Sequence, residues 1–186
     1  FEHPQTPEFL TVAEQKTYQS VLGALLYIST CTRPDISFSV SVLCRKMKQA
    51  NKQDMQALTH LLKYLQGTKE AELSLGRQVE GLTGYSDASF ADCRETRRSS
   101  AGYLFTYMGG TVSWRSNLQK TVALSTAESE YMALSSAAQE GVYLRQLIQE
   151  LELTEKGFVQ QSEQTSGNRV RNRIYTTPRF RNTELR

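Results

Sequence analysis

A mixed α/β fold is what this sequence predicts, and three observations predict it. Apolar residues recur at helical spacing through residues 1–70, the period shortens towards two from Ala71, and a long amphipathic stretch runs from about Ser125 to Leu151. The organisation that follows is a helical segment over 1–70, an α/β domain over 71–153 with three antiparallel strands and a long helix, and an arginine-rich tail over 154–186.

Residues 1–15 carry Pro4 and Pro7 and no clear period. Tyr18, Val21, Leu22, Leu25, Leu26 and Ile28 then predict a helix that ends at the break Thr32-Arg33-Pro34-Asp35. Ile36 to Met47 fits a strand by its early alternation and a helix through Ile36, Val40, Leu43, Cys44 and Met47; the basic residues gathered at its end favour the helix. Met55, Leu58, Leu61, Leu62 and Leu65 mark a third helix, closed by Gly67 as a C-cap.

Beyond Ala71, the pair Leu73 and Leu75 and the runs Leu82 to Ser86, Tyr103 to Tyr107 and Thr111 to Trp114 read as short strands, with Gly109-Gly110 at hairpin spacing between the last two. Ser125 followed by Glu128 has the form of a capping box and marks the start of the long helix. After Leu153 the character changes. Phe158 to Gly167 is almost wholly polar, and the last stretch carries Arg169, Arg171, Arg173, Arg179, Arg181 and Arg186 against a single carboxylate, Glu184. Such a tail is either a basic nucleic-acid contact or unfolded, and no further strand or helix is expected in it.

With 39% hydrophobic residues in 186, the chain can bury the core of one ordinary domain with an appended segment. A net charge of +3 and a pI of about 8.8 tolerate a nucleic-acid partner without requiring one. Cys31, Cys44 and Cys93 form no Cys-x-x-Cys pair, which argues against a zinc site or a disulfide framework and fits a reducing, intracellular compartment. The sequence has no run of about 18 apolar residues and no leader pattern between Phe1 and Pro7, so a membrane is not an expected partner. Opening on Phe1, the chain reads as part of something longer.

Two carboxylates carry the chemistry. Asp87 follows a strand and precedes Ala88 and Ser89, small residues that leave room for a ligand, although a strand-end aspartate is commonly just a turn residue. At about 100° per residue, Ala127, Ala133, Leu134, Ala137, Gly141, Leu144, Ile148 and Leu151 all fall within about 60° of Glu130, whereas Glu128 lies on the opposite, wet face. A glutamate in an apolar stripe is costly unless it is paired, metal-bound or able to reach water at the boundary. Asp92 and Glu95 read as solvated loop residues, His3 and His60 as isolated, and Trp114 as core. A strand aspartate with a helix glutamate is the raw material of a two-metal phosphodiester site, which wants a third carboxylate.

The stretches Tyr85-Ser86-Asp87-Ala88-Ser89-Phe90-Ala91, Thr96-Arg97-Arg98-Ser99-Ser100-Ala101-Gly102-Tyr103, Val112-Ser113-Trp114-Arg115-Ser116 and Gln119 to Leu134 closely resemble the ribonuclease H domain of copia-type LTR retrotransposon Pol polyproteins. Upstream, Tyr18 to Tyr27, Thr32-Arg33-Pro34-Asp35-Ile36 and Leu62-Lys63-Tyr64-Leu65-Gln66-Gly67-Thr68 resemble the helical segment that joins reverse transcriptase to ribonuclease H there. Residues 17–151 follow the family in order.

The resemblance implies a ribonuclease H-like fold, a mixed five-stranded sheet with its first three strands antiparallel. It also implies hydrolysis of the RNA strand of RNA/DNA hybrids with magnesium, or manganese, held by carboxylates. Asp87 and Glu130 match the family's first two carboxylates, Arg97, Arg98 and Arg115 become candidate phosphate contacts, and the rest of a Pol polyprotein becomes a partner in a cytoplasmic setting. In one respect the chain departs from the pattern. Aligning Pro178-Arg179-Phe180-Arg181-Asn182 with the family's later motif puts Asn168 on its asparagine and Gly167 on its third aspartate, with Glu163 four residues away as the nearest acidic substitute.

Overall fold

The computed structural model describes residues 8–75 and 81–151, together with the backbone of 159–164 and 170–175. They divide into two compact units, the first ending at Glu72 and the second beginning at Leu73.

In the first unit, α1 (Val12–Cys31) begins several residues before its apolar period becomes visible. Its start is fixed by polar chemistry: the Thr11 side chain accepts the Glu14 N–H, and the Glu14 carboxylate accepts the Thr11 N–H at 2.8 Å. The helix expected over 36–47 is split into a 3-10 turn, Pro34–Ile36, and α2 (Ser37–Cys44). Proline fits the first turn because its missing N–H has no partner to lose there. Asn51 and Asp54 form a second capping box at the start of α3 (Lys52–Gly67).

Tyr18, Leu22 and Leu25 of α1 pack with Ile36, with Val40 and Leu43 of α2 and with Leu58 and Leu61 of α3, and the Tyr18 hydroxyl donates to the Leu43 carbonyl at 2.9 Å. Each fully buried leucine or isoleucine here contributes about 1.5–3 kcal/mol. Arg33 clasps the far end of the unit. It makes a two-pronged ion pair with Asp35 at 2.9 and 2.7 Å and donates to the Thr68 hydroxyl at 2.7 Å, while the Tyr64 hydroxyl donates to Asp35 at 2.9 Å.

The second unit is a five-stranded sheet with a helix against it. Its strands are β1 (Thr83–Ser89), β2 (Ser100–Tyr107), β3 (Gly110–Leu118), β4 (Val159–Gln164) and β5 (Val170–Tyr175), in the order β3-β2-β1-β5-β4 with every neighbour antiparallel. The mixed α/β class and the three leading antiparallel strands follow the expectation. The tail does not: β4 and β5 form where no further strand was expected. Val170, Ile174 and Tyr175 favour a pleated backbone, and β1 offers them a free edge to pair with. Only five residues separate β4 from β5, too few for a parallel crossover, so this half of the sheet is antiparallel rather than mixed.

Leu73 and Leu75 form no strand. The backbone of Ser74 and Leu75 instead lies so close to Gly110 that a Cβ there would come within 2.9 Å of the Ser74 carbonyl oxygen. The β2–β3 turn is also one residue earlier than expected. Tyr107 pairs with Gly110, leaving Met108 at φ 49° and Gly109 at φ 78° as the two central residues of a type I′ turn.

Helix α4 (Thr126–Glu150) lies on β1 and β2. Ser129, Ala133, Ala137, Gly141, Leu144 and Ile148 are its buried row, and the small residues among them let the helix approach the sheet closely. Ala127 and Leu151, expected in that row, are exposed. Below the helix, Leu82 and Phe105 complete the core, with Phe105 occupying the space left by Gly84, its partner across the β1–β2 ladder. Among the described residues no helix is long and apolar enough to cross a membrane.

Candidate metal centre

Asp87 lies in β1 opposite Gly102 of β2, so no cross-strand side chain crowds it. Glu130 is in the second turn of α4, one position after the fully buried Ser129. The two acids meet where the end of the strand passes under the start of the helix. Burial first and the Asp87 charge second push the Glu130 carboxyl up to about 7, while a hydrogen bond from the Ala88 backbone N–H opposes the rise. One oxygen of each acid, Asp87 Oδ1 and Glu130 Oε2, is buried without a hydrogen-bond partner, and so is the neighbouring Ser86 Oγ.

Buried acceptors without donors are costly, and oxygen atoms gathered in this way are the donor set that hard divalent cations take. The residues present therefore fit a cation held by Asp87 and Glu130. Among the described residues, no third His, Cys, Asp or Glu joins them. Gly167 and Asn168, aligned by sequence with the family's third position, lie outside the described residues, as does the side chain of Glu163.

The loop leaving β1 is built from polar side chains. Ala91, at φ 50°, donates its N–H to the buried Ser99 Oγ at 3.0 Å. Asp92, expected to be solvated, instead accepts from the Ser100 N–H at 2.7 Å and the Ser100 hydroxyl at 2.5 Å. It fastens the loop to the start of β2, because a chain reversing this tightly leaves amides that a short carboxylate can reach. Arg97 is exposed at φ 55° in the same loop, and the half-buried Arg98 follows it.

Arg115 sits elsewhere. It is exposed on β3 opposite Tyr103, whose hydroxyl is raised by burial and by Glu140, with Arg115 opposing. Glu140 accepts from the Ser113 hydroxyl at 2.7 Å and is ten residues, about 15 Å, along α4 from Glu130. The structure thus sets Glu130 within the influence of Asp87, hangs Arg97 and Arg98 on the loop after Asp87, and puts Arg115 two strands from β1, one residue from Ser116, which shares a row with Gly102 and Asp87. The sequence gives no hint of the roles of Ser99 and Gln119 and makes Asp92 look solvated, because a lone polar residue beside a strand end has no period that reveals a buried partner.

A mixed α/β protein with a strand-and-helix carboxylate pair is the class that this geometry defines. The retrovirus-related Pol polyprotein from transposon TNT 1-94 of Nicotiana tabacum is 44% identical over 142 residues, 76% of this chain and 11% of the polyprotein. Transposon RE1 of Arabidopsis thaliana has a Pol polyprotein 35% identical over 136 residues, covering 72% of this chain and 9% of its own length. The secreted RxLR effector protein 161 of Plasmopara viticola is 48% identical over 128 residues, 68% of this chain and 90% of that protein. The chain is thus related to a segment of retrotransposon Pol polyproteins, and it spans about a tenth of the length of those it matches. No family model and no solved structure matches it.

Proposed function

We propose that the chain is the connection and ribonuclease H portion of a copia-type Pol polyprotein, in which Asp87 and Glu130 hold a single divalent cation and hydrolysis of RNA in RNA/DNA hybrids is weak or lost. The observation that carries this reading is that Asp87 of β1 and Glu130 of α4 each bury an unpartnered carboxylate oxygen, with the Asp87 charge acting on Glu130. Bound there, magnesium or manganese would supply charge against a phosphate and acidify a water molecule.

The chain's own groups do the rest. With its carboxyl pushed up to about 7, Glu130 becomes a carboxylate only towards neutrality, and Ala88 holds that carboxylate by its backbone N–H. Arg97 and Arg98, two of the candidate phosphate contacts, follow Asp87 on the loop from β1, where cations position a nucleic-acid backbone without reading its sequence. Weak or absent cleavage follows from charge. Two cations about 4 Å apart repel, and two carboxylates offset too little of that repulsion.

The test is manganese binding by the purified chain, together with cleavage of a labelled RNA/DNA hybrid in magnesium and in manganese, each repeated with Asp87→Asn. One manganese site lost on that substitution, with little or no cleavage, is the expected result. A folded chain that binds no manganese would sink the proposal, and robust cleavage abolished by Asp87→Asn would overturn the loss of activity. A second reading, a non-catalytic nucleic-acid-binding protein derived from a retroelement, draws on the exposed Arg97 and Arg115. Hybrid binding that weakens steeply with salt but ignores both manganese and Asp87→Asn would favour it.

A further inference from the structure

We propose that Gln119 is a positioning residue that sets the Glu130 carboxylate against Asp87 by gripping the peptide unit between Ser129 and Glu130. Its functional meaning rests on the carboxylate pair being the working site. Gln119 follows the last residue of β3 and is 6% exposed. Its Nε2 donates to the Ser129 carbonyl at 2.8 Å. That carbonyl belongs to the planar unit that also contains the Glu130 nitrogen, so holding it fixes the direction in which the Glu130 side chain leaves the helix.

The grip extends to the other acid. The Gln119 backbone N–H donates to the Ser99 carbonyl at 2.9 Å, and the Ser99 hydroxyl accepts the Ala91 N–H at 3.0 Å. Ala91 stands two residues beyond the end of β1, the strand that carries Asp87. One buried relay, Ala91 to Ser99 to Gln119 to Ser129, therefore spans the strand exit and the helix start that present the two carboxylates.

Stability alone is a poor explanation of this glutamine. The Ser129 carbonyl lies inside α4, where the helix already supplies it with a donor, so the contact from Gln119 is an additional one. Because a carbonyl can only accept, the amide cannot be turned around, and its Oε1 is left buried without a partner. A methionine would fill a similar volume with no such orphan. What the amide supplies over methionine is orientation.

Gln119→Met tests this, with amide hydrogen exchange as the primary readout because it needs neither metal nor catalysis. The Ala88 N–H donates to the Glu130 carboxylate, so its exchange reports how that carboxylate is seated. The expected result is Ala88 exchange about tenfold faster with Phe105 exchange unchanged, and a thermal midpoint within about 3 °C of wild type. Where wild type binds manganese, affinity should fall at least about tenfold, as is usual when a residue supporting a ligand is removed. Unchanged Ala88 exchange overturns the proposal. So does general loss of protection or failure to fold, since either would make Gln119 an ordinary structural residue. A wild-type chain that binds no manganese while Ala88 still responds would remove the cation site and leave the positioning contact standing.

Discussion

Glu130→Gln should stabilise the metal-free chain above neutral pH and change little near pH 5. The folded protein holds the Glu130 carboxyl at about 7 against an ordinary value of 4.5, chiefly through burial, then through Asp87. A folded value above the unfolded one means that the folded state binds this proton more tightly. The associated stability is fully present below about pH 4.5, declines as pH rises through the window to about 7, and is gone above it. Taken in full, the displacement corresponds to roughly 3 kcal/mol, but the side chain is half-exposed and solvent screening reduces that to about 1–2 kcal/mol.

Glutamine keeps the shape and cannot acquire the charge, so the substitution removes the decline. Thermal denaturation with a chelator present, at about pH 5 and about pH 8, compares the two proteins. The wild-type midpoint should drop by about 2–8 °C more than that of Glu130→Gln across the interval. Manganese at about pH 8 should then restore stability to wild type and not to the variant, because a ligand that binds only the folded state stabilises it. Equal pH slopes in the two proteins, or a variant less stable than wild type at about pH 8, would refute the reasoning.

Three other substitutions probe how each unit is held. Gly84→Ala places a Cβ against the ring of the fully buried Phe105 and should cost about 1–3 kcal/mol by urea denaturation; a Gly84→Ala/Phe105→Leu double variant whose losses simply add would show that the two do not clash. Met108→Asn should raise stability by about 0.5–1 kcal/mol, because φ 49° suits asparagine better and the methionine side chain is 41% exposed; a lower denaturation midpoint would count against the turn assignment. In the helical unit, Arg33→Lys gives up the two-pronged pair with Asp35 and the contact with Thr68 and should cost about 1–2 kcal/mol, whereas an unchanged midpoint would mean that the clasp is ornamental.

Periodic features were legible in the sequence and tertiary ones were not. The 3.6-residue recurrence of Tyr18, Leu22 and Leu25 and of Leu58 and Leu61 marked two helices that do bury those residues. The start of α1 escaped because Thr11 and Glu14 define it by hydrogen bonds rather than by apolar spacing. At the β2–β3 turn, glycine drew the expected centre one residue too far: the left-handed position fell to Met108, and Gly110 is needed instead for its close approach to Ser74 and Leu75. The polar segment 159–164 and the arginine-rich 170–175 gave little apolar signal, yet they pair with each other and with the edge of β1, since backbone hydrogen bonds do not require an apolar side chain.

The helical wheel was right about Glu130 for a reason that the structure sharpens. On the wheel Ala137, Gly141, Leu144 and Ile148 of the buried row of α4 lie within about 40° of Glu130, so the glutamate points along the row but stands at its N-terminal edge, in the second turn, rather than in its middle. At the centre, a carboxylate would face Leu82 and Phe105 and would have to be neutral. At the edge it reaches Ala88 and Asp87 while remaining half in water. That position leaves its charge open to pH, to Asp87 and to a cation. It also makes the seating of one peptide unit, the one Gln119 holds, decide whether the two acids act as a pair or as two separate surface charges.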